Sequence, residues 1–122
     1  MEAPRVFESE YRFLLIVWAN EPVPSGELVR LAAEQLTWKK STTYTVIRRL
    51  CERGVLRSEG GIVRALFTQE EVQRQVGSAF LQSTFGGSLP SLVAAFARAR
   101  TLSPEEAAEI RRIIDEYGEG RP

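Results

Sequence analysis

The chain has 122 residues, 43% hydrophobic and 26% charged, with no net charge. That composition suits one compact domain or two very small ones and excludes a disordered tail. No apolar run reaches the ~20 residues of a membrane span, and the start lacks a signal-peptide pattern. There is no histidine and one cysteine, Cys51. Histidine-based catalysis and most zinc sites are thereby excluded, and no internal disulfide is possible. The expectation is a cytoplasmic protein that is not an enzyme, needs no cofactor or metal and does not insert into membranes.

The neutral total hides an asymmetry. Residues 1–69 carry about +2 and residues 70–122 about −2. Between 38 and 64, Lys39, Lys40, Arg48, Arg49, Arg53, Arg57 and Arg64 face only Glu52 and Glu59. Such a local basic patch is either the footprint of a polyanion site or a solvated helix face.

In chain order, Tyr11, Leu14, Leu15 and Trp18 fall at helical spacing, with Phe7 before them and Glu8 and Glu10 in the first turn. Asn20 to Pro24 break this helix. Ser25 is expected to cap a second one that turns Leu28, Leu31, Ala32 and Leu36 inward. A third helix is predicted from about Ser41 to Arg53, ended by Gly54, with Thr43, Val46, Ile47 and Leu50 inward. Two short β-type runs around Gly60-Gly61 predict a hairpin. Thr68-Gln-Glu-Glu71 has capping-box spacing and opens a fourth helix with Val72, Val76, Ala79 and Phe80 on one stripe. Gly86-Gly87 ends it. A fifth helix follows from about Ser88, with Leu89, Leu92, Val93, Phe96 and Ala97 on its apolar side. Ser103-Pro-Glu-Glu106 starts a sixth, expected to bury Ala107, Ile110, Ile113, Ile114 and Tyr117.

Three helices followed by a two-stranded hairpin form the winged variant of the helix-turn-helix. The fold expected is mainly α: a winged helix-turn-helix DNA-binding domain with a two-stranded wing over 1–69, then a three-helix dimerisation region over 70–122. About 50 residues make too small a core to stand alone. Leu92, Val93, Phe96, Ile110, Ile113 and Ile114 are therefore expected to pair with a second copy.

The chain resembles the penicillinase-repressor family of bacterial winged-helix regulators (BlaI/MecI/CopY). The resemblance rests on Ser9-Glu10-Tyr11 leading to Trp18, on Ser41-Thr-Thr-Tyr-Thr-Val-Ile-Arg-Arg-Leu50 with Arg53-Gly54, and on Gly86-Gly87. It continues in Ser91-Leu-Val-Ala-Ala-Phe96 and in Leu102-Ser-Pro-Glu-Glu joined to Ile110-Arg-Arg-Ile-Ile114. It implies a homodimeric repressor on a palindromic, double-stranded operator. In some members a membrane-sensor protease pathway cuts the dimerisation region, at a bond matching Ala95–Phe96 here; cleaved members usually carry Asn where this chain has Ala95. A copper-responsive branch carries C-terminal cysteines, which Gly118-Glu-Gly-Arg-Pro122 lacks.

With that resemblance, Thr42, Thr45 and Arg49, on one helix face, are the expected DNA-reading residues. Ser41, Lys39 and Lys40 are expected phosphate contacts. Arg57 and Arg64, flanking the Gly-Gly turn, are wing candidates whose face the sequence leaves open. Trp18 and Trp38 read as core-edge residues and Cys51 as a half-buried thiol. Two other functions compete: a winged-helix protein-assembly module, and a repressor with a small-molecule pocket. Exposed threonine and arginine speak against the first, and the lack of inward polar groups against the second.

Overall fold

In the computed structural model, residues 2–118 are described. Helix α1 (Glu8–Asn20) opens the fold, followed by strand β1 (Val23–Pro24), α2 (Ser25–Leu36) and α3 (Lys40–Glu52). Strands β2 (Leu56–Glu59) and β3 (Ile62–Ala65) come next, then α4 (Gln69–Phe85), α5 (Leu89–Ala99) and α6 (Pro104–Tyr117). The chain divides into two compact units, 1–80 and 81–122. The first therefore runs past the sequence expectation of residue 69 and takes in the first turns of α4.

In the first unit, α1 buries Glu10, Phe13, Leu14, Ile16 and Val17. Leu15, expected inward, is 41% exposed, and Phe7 is exposed as well. The run Phe13 to Val17 is apolar throughout, so periodicity could not choose the face; packing against α2 and β3 does. Trp18 is half-buried, and its Nε1 donates to the Phe67 carbonyl at 3.0 Å. Trp38, also half-buried, stacks on Phe13 with ring centroids 5.4 Å apart.

Strand β1 has no counterpart in the sequence reading. Two residues are too few to show alternation, but they pair antiparallel with β3, Val23 opposite Val63 and Pro24 opposite Ile62. The sheet order is β1-β3-β2. This pairing keeps the chain extended through Pro24, which becomes the N-cap of α2. Ser25 is thus the first helical residue rather than the cap, and its amide donates to the Gly61 carbonyl at 2.8 Å.

Between β2 and β3, Gly60 and Gly61 take positive φ of 58° and 79°. Both central residues of a two-residue hairpin need that region, which only glycine enters freely. Arg57 lies opposite Arg64 and Ser58 opposite Val63. Both arginines are exposed, while Leu56 and Val63 are buried.

Helix α4 starts as expected. The Thr68 amide donates to Glu71 Oε1 at 2.8 Å, and the Glu71 amide to Thr68 Oγ1 at 3.2 Å. Its first turns are tied to α1: Gln73 Nε2 donates to the Tyr11 hydroxyl at 3.1 Å, and Val72 is fully buried.

In the second unit, Gly86 and Gly87 have positive φ, and the Gly87 amide donates to the Leu81 carbonyl at 3.0 Å, closing α4. Ser88 and Ser103 cap α5 and α6 by accepting from the amides of Ser91 at 3.1 Å and Glu106 at 3.0 Å. One expectation fails. Neither helix has a buried residue within the single chain. Ile113, Ile114 and Tyr117, expected inward, are 47%, 58% and 67% exposed, and Ile110 is half-covered. Two short helices cannot enclose their own apolar stripes. The dimerisation region drawn over 70–122 also reaches 119–122, which lie outside the described residues.

The α2–α3 turn carries Thr37 at φ 57°. A β-branched residue is strained in the left-handed region, at a cost of order 1 kcal/mol. Thr37→Gly is expected to raise unfolding stability by about 0.5–1 kcal/mol, less than the full strain because glycine loses more entropy on folding. Urea denaturation checks this, and a clear loss of stability would refute it.

Candidate nucleic-acid interface

Helix α3 buries one row, Thr43, Ile47 and Leu50, with Val46 and Cys51 half-buried against the core beside it, and is polar elsewhere apart from Tyr44. Thr43 is completely buried without penalty, because its Oγ1 donates to the Lys39 carbonyl at 3.3 Å. With that row inward, the helical repeat puts Ser41, Thr45 and Glu52 at the opposite crest. Thr42 and Arg49 lie to one side of it, and Tyr44 and Arg48 to the other. Lys39, Lys40, Ser41, Thr42 and Arg49 are exposed, and Thr45 is half-buried. Lys39 is the N-cap and Lys40 the first helical residue, so two cations flank the end where backbone amides point outward. Lys39, Lys40, Arg48 and Arg64 have no carboxylate partner among the described residues. Arg57 does: its Nε lies 2.7 Å from Glu59 Oε1 in an exposed pair.

The sequence reading missed Tyr44, 39% exposed, and gave no role to Arg48. Both were visible as residues. The inward row expected for α3 already turns both outward, and the buried Thr43 and Leu50 fix that phase.

Arg53, counted in the sequence as part of the basic patch, belongs elsewhere. Its Nη1 donates to Glu10 Oε1 at 2.9 Å and to the Arg5 carbonyl at 2.7 Å, and its Nη2 pairs with Glu10 Oε2. Glu10 Oε1 also accepts from the Phe7 amide at 2.9 Å. The Arg53 guanidinium lies over the Phe7 ring, 5.6 Å from its centroid. One carboxylate thus ends the N-terminal arm, starts α1 and holds the last turn of α3. Burial works to raise the Glu10 pKa. The Arg53 hydrogen bond, the Phe7 amide and the charges of Arg53 and Arg49 outweigh it and hold the carboxyl below its usual range. Cys51 is half-buried, and desolvation pushes its thiol up, so it is a poor nucleophile.

Among the described residues no cluster of three or more Cys, Asp or Glu could hold a metal ion, and no helix is long and apolar enough to cross a membrane.

The sequence profile of the penicillinase repressor family matches residues 7–116. The chain belongs to the penicillinase repressor family. Within this family it is 27% identical over 118 residues to the penicillinase repressor of Bacillus licheniformis, covering 93% of this chain and 92% of that one. It is 23% identical over 114 residues to the methicillin resistance regulatory protein MecI of Staphylococcus aureus, covering 90% and 93%. The solution structure of monomeric BlaI from Bacillus licheniformis, in complex with the blaP half-operator, superposes with a TM-score of 0.50 at 19% identity. It covers 57% of this chain and 90% of that one. This penicillinase-repressor family member therefore has the winged-helix fold expected from its sequence, with a third, two-residue strand added to the hairpin.

The Glu10–Arg53 pair makes a pH-dependent contribution to stability. A carboxyl with a lowered folded pKa stabilises fully above its unfolded value, about 4.3, and loses that contribution as pH falls through the folded value. Thermal unfolding of Glu10→Gln is expected to show a shallower loss of stability than the parent chain from about pH 4.5 downwards. At pH 7, Arg53→Met is expected to cost about 2 kcal/mol, by stranding a buried, hydrogen-bonded carboxylate. Parallel acid limbs for Glu10→Gln and the parent would overturn the linkage.

Proposed function

We propose that this chain is a homodimeric bacterial transcriptional repressor that binds a palindromic, double-stranded DNA operator in the cytoplasm. The observation that carries the proposal is the set of unpaired cations along α3, Lys39 and Lys40 at its start and Arg48 in its third turn, on a winged-helix scaffold. Such a helix fits the major groove with its N-terminal half toward the base edges. In this reading Lys39, Lys40 and Ser41 hold phosphates, while Thr42, Thr45 and Arg49 approach the bases. Arg64 takes the wing's backbone contact, and Arg57 joins it only by giving up Glu59. The relatives named as repressors support this reading.

Dimerisation belongs to the second unit. Val93, Phe96, Ile113 and Ile114 are 38%, 52%, 47% and 58% exposed, with Leu92 and Ile110 half-buried beside Phe96 and Leu102 in an open apolar cleft. Covering such side chains is worth about 1.5–3 kcal/mol each at full burial. A second copy supplies the cover, and two-fold pairing matches a palindrome. Ile114→Glu is expected to give a folded monomer in sedimentation equilibrium and to weaken operator binding by ~10²–10⁴, through loss of the second half-site. A variant that stays dimeric would remove α6 from the interface.

Release follows the same logic. A cut between Ala95 and Phe96, inside α5, would remove Phe96, Ile110, Ile113 and Ile114 together and dissociate the dimer. A sensor protease pathway is the partner this reading implies. Exposure of cells to a cell-wall antibiotic is expected to yield a fragment ending at Ala95. Induction of target genes with the chain intact would end the proteolysis reading and leave the dimer reading standing.

Binding of a duplex from upstream of the chain's own gene, titrated across salt, tests the DNA reading directly. Lys40→Ala is expected to weaken all sequences about equally and to lower the slope of log K against log salt by about one unit. Absence of salt-dependent binding by the parent chain would refute the proposal.

A further inference from the structure

Two side chains on α3 remain without a task after packing and the contacts above, Tyr44 and Arg48. They sit four residues apart, so they are neighbours one turn apart on the helix surface. Tyr44 is 39% exposed and Arg48 is exposed. Neither has a hydrogen-bond, ion-pair or ring partner among the described residues. Glu52 lies four residues beyond Arg48 and does not pair with it. Arg followed by Glu at that spacing is the less favourable order. Arg49, by contrast, lies close enough to Glu10 to help lower its pKa, so its charge is already partly offset. Arg48 is the guanidinium on this helix that is free of both.

An aromatic residue left 39% exposed beside an unpaired guanidinium leaves part of its apolar surface uncovered. Its chemistry suits the floor of the major groove. Arginine pairs bidentately with guanine O6 and N7, and an apolar surface packs on the thymine C5-methyl. One helical turn rises about 5.4 Å, against a base-pair step of about 3.4 Å, so the two side chains reach positions one or two base pairs apart.

We infer that Tyr44 and Arg48 form a second base-reading row on α3, Arg48 recognising a guanine and the Tyr44 ring a nearby thymine methyl. The inference rests on the reading of α3 as the DNA-entering helix. Arg48 and Arg49 then stand on either side of the helix crest and face different walls of the groove. Sequence preference comes from both shoulders, not from the Thr42–Thr45–Arg49 face alone.

The test uses the full chain. Selection from a randomised duplex library first defines the preferred site. The selected duplex is then rebuilt with 7-deazaguanine at each guanine and uracil at each thymine, one at a time. At one position the loss of guanine N7 is expected to weaken the parent chain markedly and to leave Arg48→Ala indifferent. Arg48→Ala itself is expected to lose roughly 5- to 150-fold on the selected site. Arg48→Lys keeps non-specific affinity but loses the guanine preference, which separates base reading from misfolding. At a thymine one or two steps away, uracil is expected to cost about fourfold, the worth of one buried methyl. Tyr44→Ala abolishes that discrimination and Tyr44→Phe retains it. If the parent chain selects a site but both alanine variants keep every preference, the inference fails and the repressor reading stands. If Arg48→Ala only lowers the salt slope, Arg48 is a backbone clamp and the inference likewise fails. If the parent chain selects no site, the repressor reading fails and takes the inference with it.

Discussion

The rotational phase of α3 is the constraint on which the proposed interface depends. It is set by one buried row, Thr43, Ile47 and Leu50, packed into the first unit's core. Rotating the helix by one residue would bring a tyrosine or an arginine inward and expose Leu50, with the full cost of burying an unpaired charge. Thr43 sharpens this selection. Its hydroxyl is satisfied only by the carbonyl one turn back, at Lys39, so the residue tolerates complete burial at that place. Everything outward follows. Serine and threonine come to the crest, cations flank the N-terminal end, and the two guanidinium groups of Arg48 and Arg49 are parted.

Phase alone would leave the far end of α3 free to move. The Glu10–Arg53 pair closes that end by joining residues 43 apart in sequence. Bidentate geometry suits the arrangement, because a planar guanidinium fixes direction as well as distance. The pair also explains why Arg53 differs from its basic neighbours. A guanidinium that must donate to a buried carboxylate and to the Arg5 carbonyl is unavailable to an external anion. Charge counted along a sequence overstates a surface patch whenever one member is spent inside the fold.

Local signals were legible in the sequence and distant ones were not. The caps at Thr68 and Ser103 were readable because donor and acceptor lie within three residues of each other. The Gly60-Gly61 turn was readable because its backbone demands glycine. The inward row of α3 stood out because its helix has little else that is apolar. In α1 the continuous run Phe13 to Val17 erased the periodic signal, and only the neighbours of the helix decided that Leu15 stays out. Strand β1 and the capping role of Pro24 depend on pairing with β3, about 40 residues further along. The same non-locality hid the partner of Arg53. The wing could be drawn as a hairpin but not oriented. Register settles it, because Arg57 and Arg64 are cross-strand partners and must share a face.

The zero net charge of the chain is compatible with a polyanion-binding surface because its ion pairs are not evenly spread. Several cations outside the α3 region are neutralised close to home. Arg30 bonds both Glu27 and Glu34 on its own helix, Arg100 meets Glu106, and Arg112 meets Glu109. Exposed pairs of this kind add little stability, but they cancel field locally. Lys39, Lys40 and Arg48 have no such partner. Lys39 and Lys40 at the start of α3 and Arg48 in its third turn therefore leave one edge of this helix cationic at short range, although the chain as a whole carries no net charge. Screening over about 8–10 Å at physiological salt makes the short-range field the one a DNA backbone meets. A neutral chain with an uncompensated cationic edge gains attraction at contact without the long-range pull of a strongly basic protein. In the proposed reading, discrimination between DNA sites would then rest more on the side chains of α3 than on bulk charge.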